Sequence, residues 1–294
     1  MTSVAWQPFH VWLSSANLLL VAITLFAGMC VAAGIGVLLN RRHAREVARL
    51  KAAGEAEKSE GQEGYIVSAV LGLLALLLGF TFSLAVDRYE TRRHLVLDEA
   101  NAIGTTYLRA QLLPEPHRTR MTDLLTRYTD NRILLAEAKP DKIPPLLATN
   151  DALVTDMWAA TAAAFESIRT LDFSSAYLDS VNAVVDLDAS RKTARAARVP
   201  PEVFVVLFIY LFTTAGVLGY VLKGFRGRMS AAFLLGLLTL SLLLIIDIDR
   251  PMMGGVTEGQ APMEQLRASF SKPTSVYDKW RQPPSPTSET AGRR

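Results

Sequence analysis

Four long stretches of this 294-residue chain contain no Asp, Glu, Lys or Arg: residues 1–40, 64–86, 203–222 and 229–246. Each stretch reaches the length, roughly 17–25 residues, that a helix needs to cross a bilayer core. A lipid-embedded segment must satisfy its own backbone hydrogen bonds, so each stretch is predicted to be helical. The sequence therefore predicts an all-α integral membrane protein with four transmembrane helices in contact with the lipid bilayer.

The charged residues divide the chain between these helices. A helical soluble insert is predicted between spans two and three. Gly54, Ser59, Gly61 and Gly64 indicate flexibility in the second half of the loop between spans one and two. The predicted division is residues 1–40, amino terminus and first span; 41–63, charged loop; 64–86, second span; 87–201, insert; 202–249, third and fourth spans; 250–294, a tail disordered at its end.

The helix of the second span is predicted to continue beyond the membrane. No proline lies between Tyr65 and Gln111, small or apolar residues recur at steps of three and four, and Pro114 is the first strong stop. The alternative is a break near Asp87 or Gly104.

The rest of the insert is predicted to form three further helices, at 115–138, 151–170 and 174–198. Pro140, Pro144 and Pro145 are interpreted as the separator between the first two of these. Asn150 or Asp151 is the candidate N-cap of the middle one. Together with the continued second helix, they are most simply a four-helix bundle.

Charge decides the predicted orientation and excludes some functions. The net charge of +3 provides no basic surface for nucleic acid, and the single cysteine, Cys30, excludes a disulfide within the chain. Loops 41–63 and 223–228 together contain nine Lys or Arg, six plus three. Since Lys and Arg bias short loops toward the cytoplasm, a cell-membrane protein with its insert on the extracytoplasmic side is favoured.

Motifs for catalysis are absent from the sequence. It contains no HExxH, Walker A or GxSxG pattern, so no enzyme activity, catalytic residue or cofactor is predicted. Asp87, Glu90 and His94 share one helix face and could suit a divalent ion. Bundle metal sites draw ligands from several helices, so this set is interpreted as a solvated helix face and no metal site is predicted.

Charged residues also follow the second and fourth spans, which end on the same side of the membrane. Charges at a bilayer edge usually pair with one another or reach toward water. Structural ion pairing is therefore predicted, with an ion vestibule as the alternative. The residues are Asp87, Arg88, Arg92, Asp247, Asp249 and Arg250.

Two patterns within the spans suggest contacts between helices. Leu76, Phe80 and Leu84 repeat every four residues along span two and could form a hydrophobic gate in a symmetric oligomer; packing against lipid or a core is the alternative. Small residues predict close helix packing in spans one and two. They are Gly28, Ala32, Gly36, Gly72 and Gly79.

Several segments resemble the bacterial bestrophin-like domain family over roughly residues 10–270. They are the run 79–90 (GFTFSLAVDRYE), the run 98–104 (DEANAIG), the turn 113–116 (LPEP), Asn182, Asp188 and Arg191, and the closing 249–251 (DRP). The likeness to bestrophins implies a pentameric ion channel, with span two lining the pore and the insert in the cytoplasm. That placement conflicts with the orientation favoured by charge.

Two functions follow as hypotheses. The first is a homo-oligomeric ion channel gated along span two, with Asp87 at its mouth. The second is a non-conducting membrane scaffold or sensor, whose insert signals through the long second helix.

Overall fold

The computed structural model describes residues 16–52, 62–251, 254–271 and 276–279. The described residues form helices joined by short connections, with no β-strand among them. The helices are α1 (Leu18–Ala52), α2 (Gln62–Ala110), α3 (His117–Glu137), α4 (Ile143–Ile168), α5 (Phe173–Ala196), α6 (Pro201–Val221), α7 (Gly224–Asp249) and α8 (Ala261–Ser269), with a 3₁₀ turn at Pro140–Lys142.

Helix α1 continues well past the end of the uncharged stretch. The segment after residue 40 was expected to be a loop, but it is helical through Ala52. Residues 41–52 consist mainly of Arg, Ala, Glu, Leu and Lys, which are strong helix formers, and they include no Gly or Pro. Of the four residues on which the expected flexibility rested, Gly54, Ser59 and Gly61 lie outside the described residues, whereas Gly64 lies in the first turn of α2.

Helix α2 is continuous over 49 residues, as the absence of proline predicted. At 1.5 Å per residue it is about 73 Å long. The alternative of a break near Asp87 or Gly104 is wrong, because both residues lie inside the helix.

The first compact unit comprises residues 1–93 and 192–258. Among the described residues, four helices are long and apolar enough to cross a membrane, and their apolar stretches lie in α1, α2, α6 and α7. Their shared core includes Met29, Leu74, Phe204 and Leu242, all buried. The predicted fold class, an all-α membrane protein with four transmembrane helices, is confirmed.

The second unit comprises residues 94–191 and 259–294. The end of α2 packs with α3, α4, α5 and α8 around a core that includes Ile103, Tyr128, Met157 and Tyr177. Helix α8 was not predicted, and it contributes the buried Met263. A fifth helix is therefore part of the core of this unit.

Helix α4 begins eight residues earlier than expected. The prolines at 144 and 145 were interpreted as a separator, but they lie in its first turn, where their missing N–H groups cost no helical hydrogen bond. Neither Asn150 nor Asp151 is therefore an N-cap. Asn150 is fully buried inside the helix.

The described part of the tail is held by side-chain contacts. Phe270 stacks on Tyr107 with ring centroids 4.1 Å apart. Asp278 accepts two hydrogen bonds from Arg118, at 2.9 and 3.0 Å. Disorder was expected beyond Phe270. Residues 271 and 276–279 of that stretch are described, and the rest of it lies outside the described part of the chain.

Candidate functional site

One face of the second span is open. Leu76 and Phe80 point away from the core of the first unit, with 53% and 66% of their surface exposed. Gly72 and Gly79 share this face, since steps of three, four and seven residues return to one side of a helix. A Cβ atom built on either glycine would meet nothing within 4 Å. The face is thus free to contact lipid or another molecule.

Leu84 differs from the other two residues of the predicted gate. It is half-buried and packs against the core of the first unit. Its position lies about 80° around the helix from Leu76, close to the buried side. Leu76 and Phe80 are therefore the members of the predicted stripe that the structure leaves open.

The small residues of the first span lie against α6. A Cβ atom on Gly28 would come within 2.9 Å of the Phe212 ring, and one on Gly36 would overlap the carbonyl oxygen of Gly216. From the other side, a Cβ on Gly219 would overlap the backbone of Ala33. Larger side chains would force these two backbones apart.

Ala32 belongs to the same contact. Its carbonyl oxygen would lie 3.6 Å from a Cβ built on Gly216. Gly28 and Gly36 of the first span therefore face another span of the same chain, whereas Gly72 and Gly79 of the second span meet no other described residue within 4 Å of a built Cβ.

Arg92 joins the charged ends of the second and fourth spans. It is 2% exposed; its Nε donates to Glu258 Oε1 at 2.7 Å, and its Nη2 donates to the Ile248 carbonyl at 2.9 Å. Arg195 Nε lies 3.9 Å from the other Glu258 oxygen. The sequence analysis missed Glu258 because it lies outside the apolar stretches, in a segment without helical periodicity.

The two aspartates after the fourth span bind backbone amides. Asp249 accepts from Val199 N at 3.0 Å. Asp247 accepts from Gly255 N at 2.6 Å and from Val256 N at 3.1 Å. A Cβ on Gly254 would come within 2.6 Å of the Asp247 carbonyl, so this loop closes tightly over the carboxylate. These two carboxylates thus hold backbone amides in place, whereas structural ion pairing was predicted for them.

The arginines nearby bind carbonyl groups. Arg198 donates to the Asp249 carbonyl at 2.6 Å, and Arg250 donates to the Ala16 carbonyl at 2.8 Å. Burial lowers the pKa of Arg250, and the charges of Asp247 and Asp249 partly oppose that effect. Asp87 is exposed and Arg88 is half-buried. Arg92, Arg195, Arg198, Arg250, Asp247, Asp249 and Glu258 are hereafter the edge cluster.

The three residues considered for a metal all lie on α2. Asp87 and His94 are exposed on α2, and Glu90 is half-buried beside them. Over the described residues, no three His, Cys, Asp or Glu side chains are grouped closely enough to hold a metal ion.

A buried charge network lies in the second unit. Glu99 is fully buried, and its Oε2 accepts from Arg132 at 3.2 and 3.1 Å and from Arg191. The Tyr128 hydroxyl donates to Glu99 Oε1 at 2.6 Å. Asp188 accepts from Arg132 at 3.2 Å. Glu99, Tyr128, Arg132, Asp188 and Arg191 are hereafter the Glu99 network.

The Glu99 network is balanced in charge. Two arginines face two carboxylates, and Asn150 Nδ2 adds a donor to Asp188 at 2.8 Å. Burial and the nearby Glu99 raise the pKa of Tyr128 well above its ordinary value of 10.0. Burial opposes protonation of Arg132, but Glu99, Tyr128 and Asp188 outweigh it and raise the pKa of that guanidinium.

The sequence analysis did not connect these residues. Glu99, Asp188 and Arg191 lie in segments that carried the family resemblance, but Tyr128 and Arg132 were outside them. The missed signal was Arg132 itself. It interrupts the apolar face of α3 between Tyr128 and Leu135, and a charge buried on such a face requires a paired or hydrogen-bonding partner.

Comparisons with known proteins found a matching family model and a solved structure of similar fold. A model of the Bestrophin-like domain matches residues 31–257. The fold also resembles a crystal structure of a bacterial bestrophin homologue from Klebsiella pneumoniae carrying a tryptophan-to-alanine substitution. The TM-score is 0.56 and the sequence identity is 16%, over 87% of this chain and 96% of that one. No curated protein sequence matches the chain.

Proposed function

The chain belongs to the Bestrophin-like domain family, and on that premise we propose that it is an ion-conducting homo-oligomer of the cell membrane. The second spans line a central pore in this proposal. The observation that carries it is the open face of α2, where Leu76 and Phe80 lie exposed while the opposite face packs in the core. The proposed activity is the passage of ions, not catalysis.

The open face has the chemistry of a constriction that closes by dewetting. In a ring of subunits, repeated Leu76 and Phe80 side chains would form apolar layers around the axis, and apolar constrictions block ions without a plug. Gly72 and Gly79 leave space between these layers. Asp87 is exposed beyond them on the same helix, where it would face entering cations.

Ion flux into liposomes tests this proposal. Phe80→Ala is expected to raise ion flux several-fold above the wild type, because it removes the larger of the two apolar side chains in the proposed constriction. Phe233→Ala in α7 is the matched control, since that phenylalanine is 68% exposed against 66% for Phe80. Equal flux for the wild type and both variants would contradict the assigned gate.

The subunit number provides a second test. A pore on an axis requires a closed ring of more than two subunits. Light scattering of the purified protein is therefore expected to show an oligomer larger than a dimer. A monomer or dimer in mild detergent and in lipid nanodiscs would count against the channel.

A second candidate function is a non-conducting scaffold or sensor. The observation in its favour is α2, which runs without a break from residues of the first unit to residues of the second. This candidate predicts no flux above empty liposomes for either the wild type or Phe80→Ala.

For orientation, we propose from the loop charges that the insert is extracytoplasmic. Asn182 is exposed on α5 and suits labelling. In a Cys30→Ala background, Asn182→Cys should react with an impermeant maleimide on intact cells. Protection until the cells are opened would place the insert in the cytoplasm instead.

A further inference from the structure

An apolar groove lies between the first, third and fourth spans. It has a volume of about 630 Å³, and its walls include Val31, Gly34, Ala232 and Leu235. The groove is lined almost entirely by carbon, and it lies on helices that cross the membrane. Its volume is within the range, about 300–1,000 Å³, of sites that hold a small apolar molecule.

Cations gather at one end of this groove. Arg41 and Arg228 line both the groove and an adjoining cavity of about 170 Å³, which is also lined by Lys223. No Asp or Glu is among the described residues that line either space. The positive charge at this end is therefore not offset within the lining itself.

The turn between α6 and α7 supports the arrangement of these cations. Gly224 has a φ of +74°, a conformation that favours glycine, and it directly follows Lys223. Arg228 Nε donates to the Gly224 carbonyl at 3.2 Å. The Gly224 carbonyl thus holds Arg228 through its Nε, and the Nη groups of Arg228 can donate to a bound anion.

Two of these cations directly follow the apolar stretches of the spans. Arg41 and Lys223 each follow directly after an uncharged stretch, ending at 40 and 222. Lys and Arg at span ends reach toward the interface, where acidic headgroups are found. We propose that this groove binds an anionic phospholipid, with its phosphate between Arg41, Lys223 and Arg228 and one acyl chain along the apolar wall.

A second groove supplies an internal reference. It has a volume of about 420 Å³ and is lined by residues of α1 and α6, such as Ile35 and Phe212, and by Ile66 of α2. Its described lining has no charged residue at all. The cationic end of the first groove therefore distinguishes it, as a site for anionic lipid, from the second groove, which any acyl chain could fill.

The charge requirement is tested with matched arginine variants of the full chain. Native mass spectrometry in detergent would measure retention of phosphatidylglycerol against phosphatidylcholine with the same acyl chains. Arg41→Gln with Arg228→Gln is expected to weaken phosphatidylglycerol binding about 25-fold, from roughly fivefold per cation at a membrane surface. Arg42→Gln with Arg226→Gln is the control, because both are exposed neighbours that do not line the groove.

The groove requirement is tested by filling it. A Cβ on Gly34 meets nothing within 4 Å, so Gly34→Leu would occupy the groove without displacing the protein. Gly236 is equally open but does not line the groove, so Gly236→Leu is the control. Gly34→Leu is expected to reduce phosphatidylglycerol retention at least tenfold, with no change in the control.

Competition separates a lipid from a free anion. Inorganic phosphate or glycerol phosphate, at the concentration of the lipid, is expected to leave bound phosphatidylglycerol in place. Full displacement by either would show a site for free anions and overturn the proposal. Equal loss in test and control variants would overturn it too. So would a change of oligomeric state in Gly34→Leu without loss of lipid, which would show that a second copy fills the groove.

Discussion

The Glu99 network and the edge cluster both bury arginines, but they satisfy them in different ways. In the Glu99 network, each arginine meets a side-chain carboxylate. In the edge cluster, Arg92 is bound partly by a carbonyl, and the contacts of Arg198 and Arg250 described above are with carbonyls. Asp247 and Asp249 accept from backbone amides.

Because of this difference, the two clusters should lose different amounts of stability when one of their side chains is substituted. Side chains that satisfy one another leave a buried charge uncompensated when one is removed, which is costly. When a side chain that binds backbone groups is removed, no second side-chain charge is left without a partner. A single substitution should therefore damage the Glu99 network more than the edge cluster.

The largest effect is expected for Glu99→Gln, which keeps the shape but removes the carboxylate shared by Arg132 and Arg191. Breaking a buried ion pair from one side costs about 3–5 kcal/mol. Thermal and denaturant unfolding in detergent would measure the loss. Asp98→Asn is the matched control, because it makes the same change at an exposed neighbour. Equal stability of the two variants would contradict the claim that the Glu99 carboxylate stabilises the second unit.

A smaller loss is expected for Arg92→Gln. Glu258 retains Arg195 at 3.9 Å, so its charge is not left alone. Loss of charge-assisted hydrogen bonds then costs about 2–3 kcal/mol. Arg93→Gln is the control, because Arg93 is exposed and forms a surface pair with Glu90 at 3.6 Å. If Arg92→Gln lowered the free energy of unfolding as much as Glu99→Gln does, backbone partners would not reduce the effect of a substitution.

Tyr128→Phe should cost about 1–2 kcal/mol at neutral pH through the lost hydroxyl bond to Glu99. The cost should depend on pH. The folded-state pKa of Tyr128 is raised above 10.0, so its contribution is complete below pH 10 and is lost as pH rises toward the folded-state value. Unfolding of wild type and variant between pH 8 and 11 would show their difference narrowing. A difference that stays constant would contradict the raised pKa.

The smallest effect is expected for Asp247→Ala, about 1 kcal/mol, since it frees two amides of a partly exposed loop. Hydrogen exchange should accelerate at Gly255 and Val256 more than in the surrounding helices. Asp247→Asn keeps one acceptor oxygen and should show an intermediate rate. Unchanged exchange in both variants would mean that Asp247 does not hold the loop.

Sequence patterns predicted the membrane spans well for a physical reason. Lipid excludes charge, so an uncharged stretch such as 64–86 has few alternatives to a helix. The continuity of α2 was equally readable, since proline is the main residue that interrupts a helix. Prolines misled at α4, because a first-turn proline looks the same in sequence as one that ends a helix.

The candidate sites were harder to predict because their partners are distant in sequence. Arg92 and Glu258 are 166 residues apart, and Asp249 binds a backbone amide, for which a sequence carries no signal. Leu76, Phe80 and Leu84 share a spacing, yet the structure separates Leu84 from the others by packing. Periodicity identifies a helix face, but only tertiary contacts decide what covers it.

The glycine contact between α1 and α6 has a consequence for biosynthesis. Its two partners end and begin at Ala52 and Pro201, so the ribosome completes α1 long before it makes α6. At about 5–20 residues per second, the roughly 150 intervening residues take about 7–30 s to synthesise. During that interval the glycine face of α1 meets lipid or the insertion machinery, because α6 is made only after residues 94–191 of the second unit.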